Sequence, residues 1–261
     1  MLLSPGATQI TSHKQYITDG MDASELESAP MAMFSKWFRQ ATDAGVPEPE
    51  AMTLTTVSLP NASAPASENP AVDKGGWKVD APRPSARMVL LKRADDNGFQ
   101  FFTNYESRKG NELEANPWCS LTFYWPKLCR SVRVCGRAER LSREESQAYY
   151  DSRPIGSKIG AWASPQSRAL ASREELTQRV EQCEKRFDVP AAAAIADAKV
   201  PIDKDLPLPP HWGGFRVVPD EVEFWTGRAS RLHDRFRYAR DPHSTAPLND
   251  ASSWTIERLA P

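Results

Sequence analysis

Residues 231–235, in the order Arg-Leu-His-Asp-Arg, carry side chains that are suited to binding an anion. They follow residues 221–225, whose alternation of acidic and apolar side chains is typical of a strand. In an extended chain Arg231, His233 and Arg235 would project from one face and would repel one another unless an anion lay between them. Arginine is also the side chain best suited to bidentate phosphate binding. The alternative is a solvated edge strand whose charges prevent aggregation.

Three other groups of residues carry phosphate-binding chemistry. Arg87 and Lys92 bracket an apolar run, and the Ser-Arg-Lys-Gly sequence at residues 107–110 stands at a predicted helix start, where backbone N–H groups favour anions. The third group recurs every fourth residue, so that one helix face would carry two hydroxyls and a guanidinium: Tyr149, Arg153 and Ser157. Each group alone is a weak signal, because a Ser-Arg-Lys-Gly sequence is more often a solvated helix start than an anion site and a Tyr/Arg/Ser face is more often surface than pocket. Together they indicate more than one phosphate, or two phosphorylated ligands.

Length, charge and cysteine usage limit the classes of protein to which this chain can belong. The chain has 261 residues and a formal net charge of -1, which suits one large domain or two small ones and gives no global basic field for nucleic acid. Its apolar runs are too short to cross a bilayer, so no membrane partner is expected. The four cysteines have neither CxxC nor zinc-like spacing, which predicts reduced thiols and no metal. Residues 1–14 carry no secretory signal, which predicts a cytoplasmic protein, with mitochondrial import as the weaker alternative.

Strands predominate among the elements that must position these residues. Spacing and capping residues predict helices at residues 31–41, 107–115, 142–150, 153–162 and 172–187. Alternation predicts strands at residues 51–59, 87–92, 99–103, 120–125, 130–141, 214–218, 221–226, 235–240 and 253–259, with a turn at 95–98 that pairs the second strand with the third. Hairpins that helices interrupt irregularly favour an α+β fold, an antiparallel barrel with helices packed outside. The sequence has no βαβ alternation and no GxGxxG motif, which argues against a Rossmann nucleotide site.

Some segments fall outside this pattern. Residues 1–30 are predicted to be a flexible N-terminal segment, and residues 31–261 to form a single domain. Two Pro- and Ala-rich stretches, at about residues 60–85 and 188–210, lack the apolar residues to order themselves and are predicted to be surface insertions. The chain has no GxSxG motif and no cysteine with an obvious histidine partner, so a cofactor is expected to carry any chemistry.

A series of motifs resembles the pyridoxamine/pyridoxine 5'-phosphate oxidase family, in the family's order and at nearly its spacing. They are RMVLLK at residues 87–92, FFTNYESRKG at 101–110, WGG at 212–214, EFW at 223–225, RLHDR at 231–235 and ERLAP at 257–261. The resemblance extends from about residue 31 to residue 261. It implies an FMN-binding split β-barrel that works as a homodimer, with FMN sites at the subunit interface. The implied reaction is oxidation of pyridoxine 5'-phosphate or pyridoxamine 5'-phosphate to pyridoxal 5'-phosphate, with O2 reduced to H2O2.

The resemblance also implies roles for individual residues. The residues implied to contact FMN are Arg87, Met88, Val89, Leu90, Phe102, Thr103, Arg108, Lys109, Gln166, Ser167, Trp225 and Arg235. The residues implied to bind the substrate phosphate are Lys92, Tyr149, Arg153 and Ser157. The implied catalytic residues are Arg231 and His233, which with Leu232 between them flank the pyridine ring, orient its C4' atom against flavin N5 and stabilise charge.

The chain departs from the family pattern in places. Ser131 stands where the family usually has a Gln that contacts FMN from the neighbouring subunit, so Ser131 is expected to lose a contact or to admit water. Lys14 and Tyr16 are candidate counterparts of a basic residue and a Tyr that cover the bound substrate. The alternative functions are a non-catalytic FMN or pyridoxal-phosphate carrier on the same barrel and, more weakly, a flavin reductase. A carrier would need neither the substrate-phosphate residues nor the pair that flanks the ring.

Overall fold

The computed structural model describes residues 15–59, 81–189 and 205–261. Its strands are β1 (Ala51–Ser58), β2 (Arg83–Leu90), β3 (Arg93–Asp95), β4 (Gly98–Asn104), β5 (Trp118–Trp125), β6 (Arg130–Arg140), β7 (Trp212–Thr226), β8 (Asp234–Ala239) and β9 (Thr255–Leu259). Its α-helices are α1 (Pro30–Asp43), α2 (Arg108–Ala115), α3 (Arg143–Asp151), α4 (Ile155–Ala163) and α5 (Arg173–Phe187). Every predicted helix is therefore present, with its ends shifted by at most a turn.

The strands form one antiparallel sheet of nine strands in the order β2-β1-β5-β6-β7-β4-β3, with β8 on β7 and β9 on β8. The long β7 pairs with β6 along most of its length. Its first half also pairs with β4 and its second half with β8, so β7 connects two ends of the molecule. The strand pairs among the described residues do not close the sheet. The predicted antiparallel sheet with surrounding helices is confirmed, whereas closure into a barrel is not.

Two predicted details of the sheet are wrong. The runs 214–218 and 221–226 form one continuous strand, β7, whose pairing with β6 shifts register between Cys135 and Gly136. A bulge of this kind bends a strand without ending it. Because it interrupts the alternation of side chains, the sequence pattern predicts two strands where the structure has one. β2 pairs with β1 rather than with β4, and the turn at residues 95–98 joins β3 to β4 instead.

Helix α1 packs on the sheet and supplies the aromatic centre of the main core. The ring of Phe34 lies 4.9 Å from that of Phe99 and 5.0 Å from that of Phe123, and the ring of Trp37 lies 5.2 Å from that of Phe224. These side chains are buried, and truncation of one such Phe to Ala typically costs about 3–5 kcal/mol. The core therefore fixes β4, β5 and β7 relative to one another.

A smaller core joins α3 and α4 to the start of β7. Tyr150 and Ile159 pack there against Trp212. The α3 helix begins with a capping box, in which the Ser142 hydroxyl accepts from the Glu145 N–H and the Glu145 carboxylate accepts from the Ser142 N–H. This predicted cap and the small core together set the position of the C-terminal end of α3.

Residues 60–80 and 190–204, which make up most of the two predicted insertions, lie outside the described residues. At the described edges of these stretches, β2 begins at Arg83, and Leu206 and Leu208 are buried in the smaller core. The division into an N-terminal segment and a single domain stays a prediction. Among the described residues, no helix combines the length and apolarity that crossing a bilayer would require.

Candidate functional site

A group of charged side chains at the start of α2, here called the Arg87 cluster, consists of Arg87, Arg108, Lys109 and Glu112. Arg87 lies on β2, and its guanidinium donates to Glu112 Oε2 at 3.0 Å and to the hydroxyl of Thr56 on β1 at 2.5 Å. Arg108 Nε donates to Glu112 Oε1 at 2.9 Å from the preceding turn of α2. One carboxylate thus holds two arginines that belong to different elements of the fold.

Lys109 is the buried cation of the Arg87 cluster. Its Nζ donates to Gln166 Oε1 at 2.8 Å and to Thr103 Oγ1 at 3.1 Å, which are both neutral oxygens. Burial lowers the pKa of Lys109 to about 8; the charge of Arg87 lowers this pKa as well, and the charge of Glu112 partly offsets the two. A buried ammonium bonded only to neutral oxygens would be stabilised by an incoming anion, so these residues fit a phosphate.

The loop that enters α2 holds the Arg87 cluster in place. The Ser107 hydroxyl caps the helix by accepting from the Gly110 N–H, as the sequence predicts. A Cβ on Gly110 would lie 2.1 Å from the carbonyl oxygen of Tyr105, so only glycine lets the helix pack this closely on the loop. Gln166 and Ser167 follow α4 in an exposed turn, where Ser167 has a left-handed φ of 69°.

A second group, here called the Tyr149 cluster, consists of Phe102, Tyr149, Arg153 and Trp212. The ring of Tyr149 is stacked on that of Phe102 at 3.9 Å, and the guanidinium of Arg153 lies 4.6 Å from the ring centre of Trp212. Burial lowers the pKa of Arg153. Its Nη1 atom is buried with no hydrogen-bond partner among the described residues. An unpaired buried guanidinium N–H is costly, so this donor is suited to an anionic ligand.

The predicted helix face of Tyr149, Arg153 and Ser157 is wrong. Tyr149 lies near the end of α3, Arg153 lies in the connection, and Ser157 lies in the first turn of α4. Pro154 separates the two helices, since proline disfavours helix at the residue before it. Lys92 is exposed between β2 and β3 and lines a cavity of about 410 Å³ with side chains of α1.

A third group, here called the Trp225 cluster, consists of Tyr16, Trp225 and His233. The ring of Trp225 lies 4.7 Å from that of His233, and Tyr16 meets them edge-on at 5.5 Å and 5.7 Å. His233 Nδ1 accepts from the Arg228 N–H at 3.0 Å, which places the proton of the neutral ring on Nε2. Tyr16 therefore lies over the end of β7. Lys14 falls outside the described residues.

The predicted strand face of Arg231, His233 and Arg235 is also wrong. Residues Ala229–Arg231 form a 3-10 turn in which Ser230 and Arg231 have left-handed φ angles of 57° and 64°, and β8 begins only at Asp234. Left-handed backbone costs about 1–2 kcal/mol for a non-glycine residue. Arg231 and Leu232 are exposed at this turn. Arg231 is therefore held apart from Arg235 by the backbone.

Arg235 belongs to an ion-pair network on the outer face of β6, β7 and β8. Its guanidinium donates to both carboxylate oxygens of Glu223, at 2.8 Å and 3.1 Å, and Arg133 donates to the same carboxylate at 2.7 Å. Ser131 donates to the carbonyl oxygen of Phe123 at 2.9 Å, so its short side chain bonds its own sheet. Next to it lies a cavity of about 290 Å³ lined by Thr122, Tyr124, Ser131, Arg133, Glu223 and Trp225.

The remaining predicted FMN residues lie on β2. Val89 packs against the main core, whereas Met88 and Leu90 alternate with it and are 63% and 39% exposed. β2 has a strand partner on one side alone, so these apolar side chains stand at an edge of the described sheet. An exposed apolar strip at an edge is typical of a surface that another protein surface covers.

The Tyr149 and Trp225 clusters lie at opposite ends of β7. Trp212 opens the strand beside β4, and Trp225 stands next to its last residue, beside β8. At about 3.3 Å per residue, this separation is on the order of 40 Å along the strand. The Arg87 cluster lies with the Tyr149 cluster, because Thr103 and Phe102 are neighbours on β4.

Sequence reasoning missed the acidic partners of the site. Glu112, Glu223 and Asp234 each bind two arginines, and Asp234 also accepts from the Met21 N–H at 3.0 Å. The spacing of four between Arg108 and Glu112 was the available signal for the first of these. The other pairings join distant segments and have no local signature.

Comparison with known families gives two matches. Residues 38–187 match the family model described as pyridoxamine 5'-phosphate oxidase. Residues 212–261 match the model described as pyridoxine 5'-phosphate oxidase C-terminal dimerisation region. The chain is similar to the pyridoxine/pyridoxamine 5'-phosphate oxidase of Burkholderia mallei, at 47% identity over 94% of this chain and 95% of the relative. The enzyme of the same name from Paraburkholderia phytofirmans is 45% identical, over 95% and 96%.

Two solved structures show the same fold. PhzG from Burkholderia lata, in complex with tetrahydrophenazine-1-carboxylic acid, has a TM-score of 0.70 and 26% identity, and the match covers 93% of this chain and 98% of that one. A pyridoxamine 5'-phosphate oxidase-related, FMN binding protein from Nostoc punctiforme has a TM-score of 0.57 and 16% identity, covering 90% and 100%. The second of these supports the fold alone.

Proposed function

The chain belongs to the pyridoxamine 5'-phosphate oxidase family, and from this premise we propose that it is an FMN-dependent oxidase. Its substrates are pyridoxine 5'-phosphate and pyridoxamine 5'-phosphate, its product is pyridoxal 5'-phosphate, and O2 is reduced to H2O2. The relatives named above support an oxidase, and PhzG shows that the fold also serves a related enzyme. The observation that carries the proposal is the presence of two separate cationic groups, each able to receive one phosphate.

The FMN phosphate is assigned to the Arg87 cluster. Three cations and one carboxylate leave a formal charge of about +2, which matches a phosphate monoester of about -1.5 to -2 at pH 7. The buried Lys109 and Thr103 form one wall of this site, and Gln166 joins them from the exposed turn after α4. When bound, FMN supplies the hydride acceptor that none of these side chains provides. The protein residues fix the position of the FMN phosphate and supply the positive charge that compensates it.

The substrate phosphate is assigned to Arg153, with Tyr149, Ser157 and Lys92. Arg153 has the unpaired Nη1 donor, and its guanidinium is fixed by Trp212. Ser157 lies in the first turn of α4, where backbone N–H groups also favour anions. Tyr149, Arg153 and Ser157 come from α3, α4 and the connection between them, and Lys92 comes from the loop between β2 and β3, so the phosphate would draw together groups from separate parts of the fold.

We assign ring recognition to the Trp225 cluster and the turn beside it. His233 Nε2–H and the exposed Arg231 guanidinium can donate to a pyridine substrate, and Tyr16 covers the same place from the N-terminal segment. Their role is to orient the reacting carbon and to stabilise charge on the ring. Positioning of this kind accounts for catalysis without a strong base in the described site.

Ring recognition and phosphate binding lie at opposite ends of β7, so one chain cannot present both to one small substrate. A homodimer resolves this, because the Trp225 cluster of one subunit can meet the Arg87 and Tyr149 clusters of its partner. The match of residues 212–261 to a dimerisation region supports this arrangement. So does the exposed apolar strip of Met88 and Leu90. In the dimer the open sheet would take part in the split barrel of the family.

Oxygen uptake by the purified protein tests the proposal. We expect a yellow protein that consumes O2 and releases H2O2 with pyridoxine 5'-phosphate and with pyridoxamine 5'-phosphate, and that does not do so with unphosphorylated pyridoxine. A yellow protein without oxygen uptake would favour the carrier. A protein that cannot be reconstituted with FMN would contradict the assignment altogether.

A further inference from the structure

Glu112 supplies the carboxylate of the Arg87 cluster. Its side chain is 6% exposed and accepts from Arg87, from Arg108 and from the hydroxyls of Thr56 and Ser85. Burial would raise the pKa of Glu112, but the hydrogen bonds from the two hydroxyls and from Arg108, together with the charge of Arg87, hold it below its ordinary value. Glu112 is therefore ionised at neutral pH.

An anion inside a phosphate site has two opposing effects. Its charge repels the phosphate, which would weaken binding. It also fixes the directions of two long cationic side chains, which would otherwise lose rotamer freedom when they bind the ligand. Both arginines contact Glu112 directly, so their charges screen the repulsion between Glu112 and an anion that they bind. The orienting effect should then be the larger.

Glu112 also acts on Lys109. The charged groups that face Lys109 are Arg87 on β2 and Glu112 on its own helix, while β4 and the turn after α4 present the neutral Thr103 and Gln166. Without the Glu112 carboxylate, Lys109 would face one cation and no anion. It would then lose its proton at a lower pH.

We propose that Glu112 is a positioning residue for the FMN phosphate, which it never touches: its carboxylate aims Arg87 and Arg108 and keeps the cluster near the charge of one phosphate dianion. The inference rests on the proposed FMN site. It assigns a function to an acidic residue in a place where the ligand is itself an anion. It also predicts that the effect of Glu112 depends on the phosphate of the cofactor and not on its ring.

The test compares binding of FMN and of riboflavin, which lacks the phosphate, to the full-length apoprotein by quenching of flavin fluorescence. Glu112→Gln removes the charge at nearly constant volume. Glu114→Gln is the matched control, because Glu114 lies two positions after Glu112 on the same helix, α2, but pairs with Arg140 on the surface. Glu112→Asp keeps the charge but shortens the reach to the arginines.

We expect Glu112→Gln to weaken FMN binding about tenfold, or about 1.4 kcal/mol, with riboflavin binding unchanged. Glu112→Asp should lie between wild type and Glu112→Gln, and Glu114→Gln should bind both flavins as wild type does. The loss of FMN affinity at alkaline pH should begin at a lower pH in Glu112→Gln than in wild type.

FMN affinity of Glu112→Gln within twofold of wild type would overturn the inference, and so would an equal loss of FMN and riboflavin. If Glu112→Gln does not fold, Glu112→Asp decides by the same comparison: a loss confined to FMN supports the inference, and no loss or an equal loss overturns it. Failure of wild type to bind FMN would instead refute the proposed function.

Discussion

The Arg87 cluster and the Trp225 cluster are built in opposite ways. The first is closed around Glu112 and the buried Lys109, on regular elements of the sheet and on a capped helix. The second stands at a strand end beside an exposed 3-10 turn with left-handed residues, and Tyr16 lies over its other two rings. A cofactor that stays bound suits the first construction. A substrate that must enter and leave suits the second.

Loss of the buried cation should give the largest effect and separate the two regions most clearly. Lys109→Met should weaken FMN binding roughly 150-fold, about 3 kcal/mol, because a charge-assisted contact to the phosphate is lost. Fluorescence titration of the apoprotein measures it. The companion variant Lys92→Met should raise the KM for the phosphorylated substrate and leave FMN affinity unchanged. Equal FMN loss in both variants would erase the distinction between the phosphate sites.

Removal of the exposed Arg231 guanidinium should impair turnover and leave cofactor binding intact. Arg231→Ala should lower kcat roughly 100-fold with FMN affinity unchanged, since charge stabilisation on the substrate ring is lost. Steady-state kinetics and flavin titration on the same preparation measure the two quantities. Arg137→Ala, an exposed arginine on β6, serves as the control. A parallel fall in FMN affinity would mean that Arg231 serves the cofactor.

Gly227→Ala tests whether Tyr16, which lies over Trp225 and His233, contributes to substrate binding. A Cβ on Gly227 would lie 2.6 Å from Tyr16 Cγ, so Gly227→Ala should displace the ring and raise the substrate KM about tenfold, about 1.4 kcal/mol. Gly160→Ala in α4 meets nothing within 4 Å and should leave KM unchanged while stabilising the helix by about 1 kcal/mol. An unchanged KM in Gly227→Ala would show that Tyr16 does not contribute to substrate binding.

The smallest expected effect is a pH dependence of the Arg87 cluster. The pKa of Lys109 is lowered to about 8, and the phosphate binds its charged form, so FMN affinity should fall several-fold as the pH rises through about 8. Riboflavin affinity should be flat over the same range. A fall of equal size for riboflavin would place the titrating group beside the flavin ring.

Sequence patterns predicted the helices and most strands because caps and alternation are local signals. Ser107 and Ser142 stand at their predicted helix starts, and Lys109 lies in the predicted anion-binding turn. The failures occur where distant contacts override local pattern. Residues 231–233 turn because the β7–β8 hairpin needs a connection, and Arg153 lies between two helices because of Pro154. The partners of Glu223 and Asp234 depend on strand pairing, which one sequence does not encode locally.

Subunit complementation tests most directly the claim that each site combines the two ends of β7 from different chains. Lys109→Met and Arg231→Ala chains would be co-expressed with different tags, purified as the mixed dimer and assayed at an FMN concentration that saturates wild type but not Lys109→Met, so that each parent homodimer is almost inactive. One of its two sites then carries both substitutions and the other carries neither, so about half of wild-type activity should return. Activity no greater than that of the two parents would contradict the account and place the whole site within one chain.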